Sequence, residues 1–356
     1  MTVFKVLVVD DSALFRTLLS NVLRGIPNCE VIGTASSGQS ALQKIIELQP
    51  DVVTLDMEMP EMDGMGVLQE LKRRRIRSKV LIVSRFTSAG AQITTDALLQ
   101  GAFDFILKPS SKDPSANRTE LQDALTEKIA AIRENAGNDA GATSAPPTSP
   151  VKTELHCGRI TKCEAVIIGC STGGPDALGQ VVPYLDPDFP APVVIVQHMP
   201  EGFTGSLAKR LDEASEISVV EATDGLVLKK GQAVVARGGR HLKLERRGVS
   251  QVVIRLTDDP HEHNCRPAVD YTLRSAVEAF DGHHLLTVIL TGMGRDGTEG
   301  CRLVRKHGGE VIAQDADGCV VFGMPKSVIN AGHADCIVPL PQIAATINSI
   351  VCKSKR

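Results

Sequence analysis

The chain has 356 residues, 42% of them hydrophobic and 23% charged, which is enough for two domains with full cores and too apolar for a disordered protein. A formal charge of -3 removes general electrostatic attraction to DNA or to anionic membrane. Aromatics are 3% with no Trp, so the cores are aliphatic and stacking platforms for single-stranded nucleic acid are few.

Other bulk features point the same way. The start, Met1 to Lys5, runs straight into an apolar strand and lacks the pattern of a signal peptide. No apolar stretch reaches the ~18 residues that a membrane span needs. The nine cysteines are an odd number without C-x-x-C spacing. They read as free thiols in a reducing compartment rather than a disulfide framework, so a cytoplasmic location is expected.

Along the chain, Val6–Val9, Asp51–Leu55, Val80–Val83 and Phe103–Leu107 read as strands. Near-continuous apolar runs suit parallel strands covered on both faces. Helical periodicity separates them, as in Leu14, Phe15, Leu18, Leu19, Val22 and Leu23, and again in Ala41, Leu42, Ile45 and Ile46. The alternation predicts a doubly wound parallel sheet. A last helix is expected over Thr119–Asn135. The Gly, Ala, Ser, Thr and Pro composition from Ala136 then reads as a flexible linker. The expected organisation is a first domain over 1–135, a linker over 136–157 and a second domain over 158–356.

In that second domain, strands are expected at Ala165–Ile168, Val193–Val196, Leu285–Leu290 and Glu310–Gln314. Helices are expected from Pro175, from Gly202, over Val269–Phe280 and after Asp296. Residues 218–256 read as short strands and turns. The fold is therefore α/β twice over: a flavodoxin-like (βα)5 domain, then a doubly wound, mostly parallel α/β domain.

The polar residues at the strand ends carry the chemistry. Asp10 and Asp11 follow the first strand, Asp56 the third, Ser84 the fourth and Lys108 the fifth. Ligands of open α/β sheets bind outside the carboxyl ends of strands. Carboxylates gathered there repel one another, and a hard divalent cation such as Mg2+ relieves the repulsion. The lysine adds a point charge for a phosphoryl oxygen. Asp56 is the expected nucleophile, forming an aspartyl phosphate.

Residues 1–108 thereby resemble a response-regulator receiver domain. The resemblance implies Mg2+ held by Asp11 and Asp56, with Asp10 nearby and the Glu58 carbonyl as a further ligand. It implies Ser84 bonding the phosphoryl group, Phe105 as the switch aromatic, and Pro109 in a cis turn after Lys108. Arg85 departs from the small or neutral residue common after that serine.

The second site begins at Gly169-Cys170-Ser171-Thr172-Gly173, a G-x-S-x-G turn between a predicted strand and helix. The following helix aims N–H groups and its positive dipole end at the turn, suiting an anion developing beside Ser171. A serine hydroxyl needs a base. His198 follows the next strand and is the candidate, and Asp296, in Gly292–Gly297, is the acid that orients it. The order Ser, His, Asp differs from the Ser, acid, His order of α/β-hydrolases. A dinucleotide-binding reading of the turn is opposed by Ser171, which stands where G-x-G-x-x-G has its second glycine, and by His198, which stands where an acid for a ribose is expected.

Residues 158–352 resemble the catalytic domain of the chemotaxis protein-glutamate methylesterases. The matching segments are Ile168–Pro175, Val196–Pro200, Cys265–Asp270, Ile289–Gly297 and Phe322–Pro325. The resemblance implies hydrolysis of glutamate γ-methyl esters on chemoreceptors and deamidation of receptor glutamines. Met293 N–H, with the turn residue Thr172, is the implied oxyanion donor. This half is expected to need no metal or other cofactor. The implied partners are methyl-accepting chemoreceptors and a chemotaxis histidine kinase as phosphodonor, with no nucleic acid and no membrane insertion. The receiver is expected to cover the serine site until phosphorylated.

Cys170 stands where the family usually has alanine, and thiol-reagent sensitivity is expected from it. His261-Glu262-His263-Asn264-Cys265 offers metal-ligand types but reads as a solvated loop. Lys72–Arg75 reads as the basic end of an exposed helix. Two other readings are a DNA-binding output domain, opposed by a pI of 6.3 and no helix-turn-helix, and a non-catalytic adaptor, opposed by the intact Ser171, His198 and Asp296 set.

Overall fold

The computed structural model describes residues 3–140, 157–248, 251–280 and 284–352. The chain divides into two compact units, residues 1–144 and 145–356.

In the first unit, five parallel strands take the order β2-β1-β3-β4-β5. They are β1 (Phe4–Val9), β2 (Cys29–Ala35), β3 (Val52–Asp56), β4 (Lys79–Ser84) and β5 (Asp104–Leu107). The interior strands are buried along almost their whole length, as their unbroken Val, Leu and Ile runs require. Helices α1 (Ala13–Arg24), α2 (Gly38–Leu48), α3 (Gly64–Arg73) and α4 (Ser88–Leu99) fill the crossovers. Each is opened by a side-chain cap, Ser12, Ser37, Asp63 and Thr87 in turn, which accepts an N–H of the first turn. The strand order reverses between β1 and β3, opening a crevice at their carboxyl ends.

Helix α5 spans Pro114–Ala140, so it starts before and ends after the expected Thr119–Asn135. Asp113 Oδ1 accepts from Ser115 N at 2.9 Å, ahead of a proline in the first helical position. The rest of the segment read as linker, up to residue 156, lies outside the described residues. Lys108–Pro109 is not cis, contrary to expectation; the cis peptide bond among the described residues is Arg266–Pro267.

The second unit holds a seven-stranded sheet of order β14-β13-β12-β6-β7-β9-β8, parallel throughout. Its strands are β6 (Ala165–Cys170), β7 (Val193–Gln197), β8 (Ser218–Glu221), β9 (Gln232–Val235), β12 (Leu285–Ile289), β13 (Glu310–Gln314) and β14 (Cys336–Val338). Strands β10 (His241–Arg247) and β11 (Gln251–Thr257) form a separate antiparallel hairpin. The helices are α6 (Gly174–Val181), α7 (Phe203–Ala214), α8 (Val269–Ala279), α9 (Thr298–Lys306), α10 (Met324–Asn330) and α11 (Leu340–Val351). An aliphatic core joins Ile167, Val196, Leu242, Ile254, Leu273 and Ile289, all 0% exposed. The chain leaves β6 toward β7 on one side, and β12 pairs with β6 on the other, so the switch point lies at β6.

The reading of all cysteines as free thiols is corrected. Cys157 and Cys336 are disulfide-bonded across 179 residues, and the other seven are free. Strand β14, pairing with β13, carries Cys336 to the segment ahead of β6, a proximity made by the sheet rather than by spacing.

Candidate active site and phosphoacceptor pocket

In the first unit, Asp10, Asp11 and Asp56 bring carboxylate oxygens within 4.8 Å of one another. Lys108 Nζ lies 2.7 Å from Asp10 Oδ2 and 2.6 Å from Asp56 Oδ2. Asp10 Oδ2 is fully buried and the lysine approaches it without hydrogen-bond geometry. Burial lifts the Asp10 carboxyl above the usual carboxylate range, against the pull of Lys108 and with a further push from Asp56. An all-oxygen donor set with charge in excess and an unsatisfied buried oxygen fits a hard divalent cation.

The remaining pocket residues stand as follows. Glu58 N donates to Asp56 Oδ1 at 3.2 Å, while its side chain pairs with Arg85 at 3.3 Å. Ser84 is buried at the end of β4, and its hydroxyl accepts from Thr94 Oγ1 at 2.7 Å. Phe105 is buried on β5 beside it, since Ile82 pairs with Phe105 and Ser84 with Leu107. Thr94 is a pocket residue that the sequence reading missed.

In the second unit, the register pairs Cys170 with Gln197, so Ser171 and His198 are neighbours at one rim of the sheet. His198 N donates to Cys170 O at 3.1 Å. Strand β12 on the other side of β6 leads to Thr291 and the loop to Asp296. Asp296 Oδ2 lies 2.8 Å from His198 Nε2. The sequence-predicted serine, imidazole and carboxylate therefore converge on the same rim.

The Asp296 carboxylate is 1% exposed. It accepts from Val269 N at 2.6 Å, Asp270 N at 2.8 Å and Gly297 N at 2.8 Å. The first two are the opening N–H groups of α8, so the charge also sits at a positive helix end. Burial works against that charge, but the His198 hydrogen bond, the imidazolium and these N–H groups hold the carboxyl below its usual range. Burial likewise disfavours the His198 imidazolium. The Asp296 hydrogen bond and a contact with Cys265 outweigh it and raise the imidazole to about 9.

Two glycines bring the Met293 loop to the serine. A Cβ on Gly292 would lie 2.8 Å from Ser171 Cβ, and one on Gly323 would lie 3.2 Å from Met293 Cα. Ser171 N donates to Thr291 O at 3.0 Å, and Thr291 Oγ1 donates to Thr172 O at 2.9 Å. Gly173 opens α6 at φ 77°, where a Cβ would overlap Val320.

Sequence reasoning missed the amides that tie this rim together. Gln197 is 2% exposed. Its Nε2 donates to Ser171 O at 2.9 Å and to His198 O at 3.1 Å, and its Oε1 accepts from Cys170 Sγ at 3.0 Å. Gln314 Oε1 accepts from Thr291 N at 2.8 Å. Each is the last residue of an apolar strand; a polar amide at such a position was the available signal.

Two sequence expectations are corrected. Cys170 is fully buried, bonded to Gln197, and pushed up by that burial, so it is not the thiol open to reagents. The His261–Cys265 segment is not merely solvated. His263 Nε2 lies 2.9 Å from buried Asp270 Oδ2, and Cys265 Sγ lies 3.4 Å from His198 Nδ1.

Residues 166–347 match the family model described as CheB methylesterase, and residues 6–120 match the response regulator receiver domain. The chain belongs to the CheB methylesterase family. Its relatives include the protein-glutamate methylesterase/protein-glutamine glutaminase of Thermotoga maritima, 44% identical over 98% of this chain and 99% of that one. The protein of the same description from Desulfotalea psychrophila is 42% identical over 96% and 97%. The crystal structure of the Thermotoga maritima CheB methylesterase catalytic domain aligns with TM-score 0.52 and 48% identity, covering 53% of this chain and all of that one. CheB methylesterase membership fits a receiver sheet followed by a parallel esterase sheet. Among the described residues no helix is long and apolar enough to cross a membrane.

Proposed function

We propose that this chain hydrolyses glutamate γ-methyl esters on chemoreceptors with Ser171 as nucleophile, His198 as general base and Asp296 as the group that orients it. The observation that carries the reading is the 2.8 Å contact of His198 Nε2 with Asp296, on the rim where Ser171 is the next residue in register. With Nε2–H given to the carboxylate, Nδ1 is the nitrogen left to take the serine proton.

Ser171 Oγ attacks the ester carbonyl carbon as His198 Nδ1 takes its proton. The carbonyl oxygen gathers negative charge, and the backbone N–H groups of Met293 and Thr172 are the donors assigned to it. His198 returns the proton to the departing methoxide, releasing methanol and leaving an acyl-serine. Water then loses a proton to His198 and attacks that acyl carbon. The glutamate carboxylate leaves and Ser171 regains its proton. A receptor glutamine follows the same path with ammonia as leaving group. The reading asks for no metal at this site.

The receiver supplies regulation in this reading. Asp56 accepts a phosphoryl group from a chemotaxis histidine kinase. Asp10, Asp11, Asp56 and the Glu58 carbonyl would hold Mg2+, which when bound neutralises the carboxylates and the phosphoryl oxygens. Lys108 pairs with a phosphoryl oxygen, and Ser84 does so once its hydroxyl leaves Thr94, with Phe105 following as the switch aromatic. Phosphorylation raises esterase turnover. The two domains work in the cytoplasm.

Methanol release from methylated receptor membranes tests this. The parent chain is expected to release methanol, faster with a small phosphodonor, and Ser171→Ala to release almost none. Normal turnover in Ser171→Ala would move the chemistry away from this serine.

A further inference from the structure

Segment Glu262–Cys265 is a tight reverse turn. Glu262 N donates to Cys265 O at 3.1 Å and Cys265 N to Glu262 O at 2.9 Å. Its two central residues lie at positive φ, His263 at 53° and Asn264 at 60°, the pattern of a mirror-image hairpin turn. Non-glycine residues adopt this conformation at a cost, so something must hold them there.

Both ends of the answer are on the active-site rim. His263 Nε2 lies 2.9 Å from Asp270 Oδ2 and 3.9 Å from Asp296 Oδ1. Asp270 is 2% exposed, and its Oδ1 accepts from Gly300 N at 2.7 Å. Glu262 is held by Arg274, whose Nη1 donates at 2.7 Å. The turn is thus fastened on both sides, and it delivers Cys265 Sγ to within 3.4 Å of His198 Nδ1.

That nitrogen is the one the proposed chemistry uses. The groups facing His198 are Asp296 at Nε2 and Cys265 at Nδ1. Those facing His263 are Glu262, Asp270 and Asp296. The imidazole is therefore gripped at both ring nitrogens, by a carboxylate on one and a sulfur on the other.

We propose that Cys265 is a positioning residue for the general base: its Sγ, 3.4 Å from Nδ1, fixes the orientation of the His198 ring that takes the Ser171 proton. The inference rests on the serine-esterase reading. The thiol is half-buried, so it also places a modifiable group in the proton path. A bulky adduct on sulfur would occupy the position that Nδ1 faces.

The test is methanol release against pH with the full chain, for the parent, Cys265→Ala and Cys265→Ser. Cys265→Ala is expected to lower kcat roughly tenfold with KM unchanged, since an interaction made at the base rather than with substrate is lost. The acid limb of its kcat/KM profile moves to lower pH, because a contact that favours the imidazolium is gone. Cys265→Ser, which keeps a hydrogen-bonding partner for Nδ1, restores kcat to within about threefold. The imidazole titration of His198, followed by NMR in a Ser171→Ala background, moves the same way in Cys265→Ala. In the parent, iodoacetamide stops turnover in step with labelling of Cys265, read by peptide mass mapping.

An unchanged profile and an unchanged titration in Cys265→Ala, or full turnover with Cys265 completely labelled, overturns the inference. If Ser171→Ala is inactive in the same assay, the esterase reading survives that result. If Ser171→Ala is active, the esterase reading itself falls.

Discussion

His198 Nε2 and Asp296 Oδ2 stand 2.8 Å apart although 98 residues separate them in the chain. Asp296→Asn keeps the size of the side chain and removes its charge, so the imidazole loses the partner that fixes its tautomer. The expected result is a fall in kcat of roughly 10³- to 10⁴-fold with KM little changed. Steady-state methanol release checks it, and a drop in KM alone would contradict it.

The pH dependence follows from the same contact. His198 is raised from 6.5 to about 9, and the neutral imidazole is the form that takes the serine proton. Below about 9 the kcat/KM of the parent should therefore climb by about tenfold per pH unit. Stability runs the other way. A histidine whose folded value is raised contributes fully below its ordinary 6.5 and loses that contribution as pH rises through about 9. Thermal melts between those limits should show the loss in the parent and much less of it in His198→Gln.

Gly292 is a packing test. A Cβ there would come within 2.5 Å of Met324 Sδ and 2.8 Å of Ser171 Cβ. Gly292→Ala must displace one of them, and overpacking of this kind costs about 1–3 kcal/mol. The expected outcome is a lowered denaturation midpoint together with loss of esterase activity. Retention of both would mean that the Met293 loop has room to withdraw.

Asp56→Asn tests the regulatory half. The parent should take label from acetyl phosphate in the presence of Mg2+ and respond with faster methanol release. Asp56→Asn should take none and keep its basal rate. A phosphodonor response in Asp56→Asn would place the acceptor elsewhere.

Much of this was legible because most of the chemistry-bearing residues stand at the end of an apolar run. Asp10, Lys108, Ser171 and His198 are the first residues beyond their strands and Asp56 is the last of its own, and parallel sheets gather such positions at one rim. Strand β2 carries no comparable run. Most of its residues are only half-buried, with Glu30 and Thr34 exposed, as in an edge strand. Gln197 and Gln314 were hidden because a buried amide at the end of a strand reads as the strand's boundary. His263 and Cys265 were hidden for another reason. Their reach depends on a turn whose shape is set by Asp270 and Arg274, which follow it in sequence and meet it only once α8 has packed. The Cys157–Cys336 bond needs the whole sheet between its ends.

The four hydrogen bonds gathered by Asp296 join two jobs in one side chain. It closes the start of α8 and it steadies the imidazole. A cell carrying a damaged Asp296 would lose catalyst molecules as well as catalytic speed, and the two deficits would look alike in a behavioural assay. Protein abundance must be counted before any rate is assigned to that carboxylate.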